Sequence, residues 1–367
     1  MVLEALYLRE VSANVSVQPR EVHEPINQSP SLTAGYLDVP ICDTDALLRY
    51  LREEIFPQLA PPPYAEVEIE RLSHRKPVYL FLEKANNIGV VGKLFKDDFI
   101  PQEEAWQSAE REYFNLELLR ETFEMDSDAC RVVAPLGKNK ELSAMLVTEK
   151  APGRTLDYYI AKAIYEQACQ RLFDKLSHLA RFFVKLHRNS ENDRQVSLDL
   201  PRWYLAELLN SLSQACLSPF QRNAIERYAA QWWSRNDILT ADREVIVHGD
   251  ATPTNFLFGD EKVTGIDLER MKWADRCWDL GFVAAELKHH FAWRMGNGWA
   301  AEPYIGHFLW EYTVNYQVDT QFFHDMTRKI PLYMALGLLR IARNPWLSEP
   351  YRKDLLLEAE RCLKYGL

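Results

Sequence analysis

Val247-His248-Gly249-Asp250-Ala251-Thr252-Pro253-Thr254-Asn255-Phe256, followed closely by Gly265-Ile266-Asp267-Leu268-Glu269, is the stretch on which the reading of the chain turns. It sets a carboxylate at 250, a carboxamide at 255 and a second carboxylate at 267. Residues 244–247 are mostly apolar and enter the loop as a short strand would. Residues 255–258 and 263–266 read as two strands joined by a Gly259-Asp260 turn, an arrangement that holds Asn255 and Asp267 close together. Such a trio answers a particular chemical need. A phosphoryl group passing between two oxygens carries spread negative charge, so its site supplies divalent cations and a carboxylate that orients the attacking hydroxyl. In that reading Asp250 orients, Asn255 and Asp267 hold metal, and His248 supports the loop. Taken singly, the same residues would be turn formers and a helix cap.

Working back from the loop, residues 78–82 form an apolar run, 86–89 a turn, and 90–95 a return strand with Lys93 inside it. An ammonium on an apolar strand needs a partner, because an unpaired buried charge is costly. Residues 101–121 supply one, with Ala105, Ala109, Tyr113, Leu116 and Leu119 at helical spacing. Glu110 and Glu112 lie on this helix about half a turn apart, so only one of them faces the strand. Further on, residues 142–147 read as a strand leading into Thr148-Glu149-Lys150-Ala151-Pro152-Gly153-Arg154-Thr155-Leu156, a turn between two structural units.

Together these residues resemble the aminoglycoside phosphotransferase and choline kinase group, the small-molecule branch of the protein-kinase-like fold. That group writes its loop as His-Gly-Asp, follows it with the pattern seen in Ile266-Asp267-Leu268-Glu269, and carries a later Asp-Leu pair, here Asp279-Leu280. The resemblance implies an α+β, two-lobed fold. Residues 66–150 would form a small antiparallel-sheet N-lobe with one helix, and 151–367 a large, mostly helical C-lobe. Residues 1–65 would be an N-terminal extension with one helix at about 44–58. It also implies ATP or another nucleoside triphosphate, with Mg²⁺, as cofactors. Lys93, fixed by Glu112, would meet the α- and β-phosphates, and the hinge backbone at Thr148, Glu149, Lys150 and Ala151 would meet the base. Glu269 and Asp279 take supporting roles, hydrogen-bonding the backbone of the catalytic loop. Where protein kinases have a glycine-rich loop, residues 72–77 contain no glycine, so Ser73, Arg75 and Lys76 would meet phosphate by side chain. The activity implied is phosphotransfer to a hydroxyl of an amino sugar, amino alcohol or related metabolite. The alternatives are a nucleotide-binding scaffold without turnover and a protein kinase. Against the latter stand the glycine-free loop, the His-Gly-Asp form and the lack of an Ala-Pro-Glu segment.

With 367 residues, 47% of them hydrophobic, the chain has material for two cores. A net charge of −10 argues against nucleic acid as a partner. Six scattered cysteines (Cys42, Cys130, Cys169, Cys216, Cys277, Cys362) lack the paired short spacing of a zinc cluster and argue against a disulfide scaffold. The N-terminus lacks the basic-then-apolar order of a signal peptide, and the apolar stretch 330–339 is too short to span a bilayer. These features predict a cytoplasmic protein without a membrane partner, and leave its oligomeric state open. Residues 1–40 read as extended, with Asp43 or Thr44 capping a helix over 45–58. Thr155 caps a helix, 172–187 forms another, Ser218-Pro219-Phe220-Gln221 opens a third, and 280–291, 302–316 and 322–342 complete the C-lobe. The small-molecule acceptor would lie across from Asp250, among His289, His290, Trp293, Trp299, Tyr304, Trp310, Glu311 and Tyr312, most of which are expected to be core.

Overall fold

Alternation in and out of a core builds the first part of the chain. The computed structural model describes residues 44–366 except 74, 75, 128 and 317–319, so the readings of residues 1–40, Asp43 and Arg75 lie outside it. Six strands precede the hinge: β1 (Val67–Arg71), β2 (Val78–Glu83), β3 (Ile88–Leu94), β4 (Cys130–Val132), β5 (Pro135–Asn139) and β6 (Met145–Glu149). Five of them make an antiparallel sheet in the order β1-β2-β3-β6-β5. Along β3, Ile88, Val90 and Leu94 are buried on one face in a core shared with Leu47, Leu51, Ile55 and Phe56. The helix Thr44–Tyr50, continued by tighter and wider turns to Gln58, thus backs this sheet. The period of two then puts Lys93 on the opposite face.

Two strands start two or three residues away from the sequence reading. β3 begins at Ile88, and the turn before it is closed by Glu83, whose carboxylate accepts the N–H groups of Ala85 (2.9 Å) and Asn86 (2.8 Å). β6 begins only at Met145. Residues 142–144 form a turn with positive φ at Ser143 (56°) and Ala144 (52°), and Asn139 accepts the N–H groups of Glu141 (3.0 Å) and Leu142 (3.1 Å). Leu142 is apolar because its side chain enters the core, while its backbone belongs to the turn.

Beyond the hinge come β7 (Arg154–Thr155), β8 (Val245–Val247), β9 (Phe256–Phe258), β10 (Val263–Gly265) and β11 (Lys272–Ala274). The β9–β10 hairpin turns through Gly259, and its sheet runs β4-β10-β9-β7, with β4 parallel to β10. One strand from before the hinge is therefore laid against the catalytic hairpin. β8 and β11 pair separately, Val247 opposite Lys272. The helices Leu156–Glu166, Cys169–Ser190, Asp199–Ser213, Pro219–Trp233, Cys277–Met295, Glu302–Tyr316, Thr320–Ala342 and Glu349–Tyr365 make up most of the remainder. Thr155 caps the first, its Oγ1 accepting from Tyr158 N–H at 3.4 Å, and Ser218 and Gln221 close a reciprocal capping box. Among the described residues no helix is long and apolar enough to cross a membrane.

Two glycines set how the helices Cys277–Met295 and Thr320–Ala342 approach. A Cβ on Gly281 would stand 2.4 Å from Tyr333 Cβ, and one on Gly337 would stand 2.6 Å from Ala285 Cβ. Contact this close leaves no room for a side chain. Gly281→Leu is expected to lower the unfolding free energy by at least about 1–3 kcal/mol, read from urea melts; a wild-type midpoint would show that the helices can separate at no cost.

Candidate active site

The strand β8 ends in a backbone that only glycine accommodates. Gly249 has φ +79°, and a Cβ there would lie 2.1 Å from the Arg270 carbonyl oxygen, so the segment before β11 packs directly on the loop. The loop N–H groups have no sheet partner. They are taken by the buried Asp279, whose Oδ2 accepts from His248 N–H (2.7 Å) and Oδ1 from Gly249 N–H (3.0 Å). Asp279 stands in the first turn of its helix, where the dipole favours an anion. Behind it, His187 Nε2 lies 3.4 Å from Oδ2, and His187 Nδ1 meets the Tyr312 hydroxyl at 2.9 Å. Burial pulls His187 below its usual range, against the pull of Asp279.

His248 is fully buried, and burial lowers its pKa against the nearby Asp279 and Asp267, so it stays neutral. Nε2 donates to the Ile266 carbonyl (3.0 Å), and Nδ1 is approached by Asp250 N–H (3.4 Å). The imidazole thus ties the loop to the residue before Asp267. Asn255 ends a short 3₁₀ turn, Pro253–Asn255; its Nδ2 donates to the Asp250 carbonyl (2.9 Å), which leaves Oδ1 as its acceptor. Ile266 N–H donates to the Asn255 carbonyl at 3.0 Å, bringing Asn255 and Asp267 together.

Asp267 is left-handed (φ 61°, ψ 59°), an uncommon conformation for a residue other than glycine and one that functional sites concentrate. Asn115 steadies the turn after it, donating to the Leu268 carbonyl at 2.8 Å. Lys93 Nζ reaches Glu112 Oε2 at 2.5 Å, Asp267 Oδ1 at 2.6 Å and Glu269 Oε2 at 3.2 Å. Burial works against the Lys93 charge, and Glu112, Asp267 and Glu269 together overcome it and raise its pKa. Glu112, nearly fully buried, is pushed up by burial and by the two neighbouring carboxylates, against Lys93. Asp267 and Glu269 are held low by Lys93 and Lys76 despite their burial. Between the two candidates, Glu112 is the partner of Lys93, and Glu110 pairs with Lys138 at 3.1 Å. Glu269 does not reach the catalytic-loop backbone as expected. It is drawn instead to Lys93 and to Lys76 Nζ (3.5 Å), the nearest positive charges.

Ser73 holds its own turn, its Oγ accepting Lys76 N–H at 3.2 Å, while Lys76 Nζ lies 4.0 Å from Asp267 Oδ2. At the hinge, Thr148 and Glu149 belong to β6. Glu149 N–H is used by the Ala134 carbonyl (2.9 Å) and Lys150 N–H by the Gly89 carbonyl (3.2 Å). Ala151 is thereby the hinge position whose N–H stays open among the described residues.

Among the described residues, none of the expected acceptor-site residues bonds to the Asp250 side chain, which is taken by Arg340. Tyr312 and Tyr304 are core, Tyr304 stacking on Phe173, and Glu311 holds Asn315. Trp299 and Trp310 are exposed against Lys288 and Phe323, and Trp293 packs on Tyr351. His289 Nδ1 meets the Tyr351 hydroxyl at 2.8 Å. His290 lies 3.8 Å from Glu286 and 3.2 Å from Asp157. Two residues missing from the sequence reading form the ion-pair chain that reaches Asp250. Arg340 Nη2 binds Asp250 Oδ1, and its Nη1 lies 3.3 Å from Glu286 Oε1. Burial pushes the Glu286 carboxyl upward, and Asp157 adds to this.

A two-lobed arrangement with a strand lysine, a helix glutamate and this loop defines the protein-kinase-like class, in its small-molecule form. The phosphotransferase enzyme family matches residues 96–308, more than half of the chain, and the chain belongs to that family. It is a phosphotransferase. Solved structures share the fold at low identity. Plasmodium vivax ethanolamine kinase is 14% identical, with TM-score 0.55 over 88% of this chain and 87% of that one. Choline kinase from Cryptosporidium parvum is 12% identical, with TM-score 0.56 over 88% and 94%. The ADP-bound aminoglycoside phosphotransferase APH(2'')-Ib is 14% identical, with TM-score 0.54 over 87% and 97%. No curated protein sequence matches the chain.

Two outcomes follow from the polar contacts. Asp279→Ala strands two loop N–H groups and is expected to cost about 2–4 kcal/mol of stability and most of the turnover. Chemical denaturation beside a rate measurement checks it, and a stable, active variant would show that water replaces the carboxylate. His289 is driven to about 3, first by burial and then by His290 and Arg294, far below an unfolded histidine. Its contribution is complete above the unfolded pKa and is lost as pH falls toward the folded one. His289→Asn should therefore flatten the fall of stability between about pH 6.5 and 4 by about 1.4 kcal/mol per pH unit, measured by urea unfolding across that window.

Proposed function

We propose that the protein moves the γ-phosphoryl group of ATP to a hydroxyl of a small molecule, an amino sugar, amino alcohol or related metabolite. The observation that carries this reading is Lys93 meeting Glu112 at 2.5 Å and Asp267 at 2.6 Å, which joins strand, helix and catalytic hairpin at one ammonium. The residues present fit Mg²⁺. The carboxylates of Glu112, Asp267 and Glu269 offer oxygens within 4.8 Å of one another, and Asn255 keeps Oδ1 available, a hard-oxygen set. When bound, the cation would neutralise phosphate charge.

Asn255 and Asp267 are the residues that would hold metal, and Asp250 orients the acceptor hydroxyl. Lys93, kept in place by Glu112, turns to the α- and β-phosphates, which releases Asp267 from its ion pair. Lys76 adds a second positive charge beside Asp267, and the hinge from Thr148 to Ala151 meets the base, with the Ala151 N–H as donor. A basic acceptor is supported by Asp157, a carboxylate 3.2 Å from His290, and by the choline, ethanolamine and aminoglycoside substrates named for proteins of the same fold. A cytoplasmic setting suits an ATP-dependent enzyme whose Cys130, Cys169, Cys216, Cys277 and Cys362 are free thiols.

The test is Mg²⁺-dependent ADP release across aminoglycosides, choline-like alcohols, sugars and hydroxy amino acids, with wild type and Asp250→Asn side by side. One acceptor should stimulate release, and Asp250→Asn should cut the stimulated rate at least about 10²-fold while still binding nucleotide. An equally fast Asp250→Asn protein would remove Asp250 from the reaction.

A further inference from the structure

Asp250 is held by an arginine that no loop motif contains. Arg340 comes from the helix Thr320–Ala342, 90 residues further along the chain, and its Nη2 binds Asp250 Oδ1. Its other arm, Nη1, lies 3.3 Å from Glu286 Oε1 on the facing helix, and the guanidinium carbon lies 5.7 Å from the centre of the Phe282 ring. The three side chains are nearly closed off from solvent: Arg340 is 15% exposed, Asp250 16% and Glu286 10%. The reach is set by the glycine-lined helix crossing, since Arg340 stands one turn beyond Gly337 and Glu286 five residues beyond Gly281.

A carboxylate has two oxygens, and only one of these is taken by the guanidinium. The planar fork of arginine fixes a direction as well as a charge, which an ammonium does not. We propose that Arg340 is a positioning residue: it grips Asp250 Oδ1, with Glu286 steadying its other arm, so that Oδ2 faces the acceptor hydroxyl. In the transfer, the acceptor oxygen bonds to the γ-phosphorus. The bond from that phosphorus to the β–γ bridging oxygen breaks, its electron pair leaving with the nucleoside diphosphate, and the hydroxyl proton passes to Oδ2. This rests on the phosphotransfer reading above.

Several charged or titratable groups surround Asp250 besides Arg340. His248 is on its own loop, Lys272 on β11 packs by Gly249, Asp279 and Glu286 come from the helix Cys277–Met295, and Asp267 follows β10. Tyr204 from the helix Asp199–Ser213 and Arg343 act on Arg340 itself. Of these, Arg340 alone is bonded to the carboxylate side chain among the described residues, so removing it isolates one contact.

The experiment compares the full-length wild type with Arg340→Gln and Arg340→Lys. It measures Mg-ATP binding, the KM for Mg-ATP and kcat. The rate is read with the stimulating acceptor, or with water as acceptor if no compound stimulates. Arg340→Gln is expected to lower kcat about 10²-fold and to leave the KM for Mg-ATP within about twofold. Arg340→Lys restores only part of kcat, because charge returns without the fork. Two results overturn the proposal alone: an unmoved kcat in Arg340→Gln, or a kcat loss that comes only with loss of Mg-ATP binding. A wild type that binds no Mg-ATP overturns the phosphotransfer reading and this proposal together.

Discussion

Two backbone N–H groups on a buried loop, with one carboxylate to satisfy them, are the constraint on which the rest of this protein depends. A loop leaving a sheet has donors that no ladder accepts, and leaving them unpaired inside a protein is costly. Asp279 takes both, from His248 and Gly249, while the Arg270 carbonyl closes the other side of Gly249. The loop is then rigid enough for its own residues to organise what surrounds it. His248 secures Ile266, Asn255 secures the Asp250 carbonyl, and the Asp250 side chain is left to face outward to Arg340.

The opposite side of the site is governed by charge. One ammonium, Lys93, sits among three carboxylates, with Lys76 at the margin. Burial disfavours each charge there, and the ion pairs hold Asp267 and Glu269 ionised while Glu112 is forced upward. The cluster sets three carboxyl groups around two ammoniums, and its oxygens are of the kind a divalent cation takes. A pair of this depth adds little to stability; its use is to give a strand, a helix and a hairpin a common meeting point.

What was legible in the sequence was whatever lay close together along the chain. The spacing of Asp250, Asn255 and Asp267 carries over into the hairpin because each contact spans few residues. Helix phase was harder. Apolar periodicity places Tyr113 on the buried stripe of Gln102–Glu121, yet Glu112 is the buried neighbour and Tyr113 lies at its edge. A carboxylate is tolerated there because Lys93 faces it, a fact held by another strand. Glu269 misled in a similar way, its family position indicating the loop while the nearest cation drew it elsewhere. Arg340 left no signal at all: it lies in an apolar helix whose relation to Asp250 is decided by the crossing at Gly281 and Gly337.

The strand β4 belongs by sequence to the half of the chain before the hinge, and by hydrogen bonding to the sheet that carries the catalytic hairpin. The fold is therefore not a nucleotide module and an acceptor module joined end to end. A crossover between related genes that exchanged everything up to residue 150 would bring a foreign edge strand into the hairpin sheet, opposite Val263, Thr264 and Gly265. A breakpoint ahead of Cys130 would keep that sheet intact but divide the helix bearing Glu112 from β6. Inheritance of this enzyme by parts is thus restricted by the three residue pairs of one short parallel ladder.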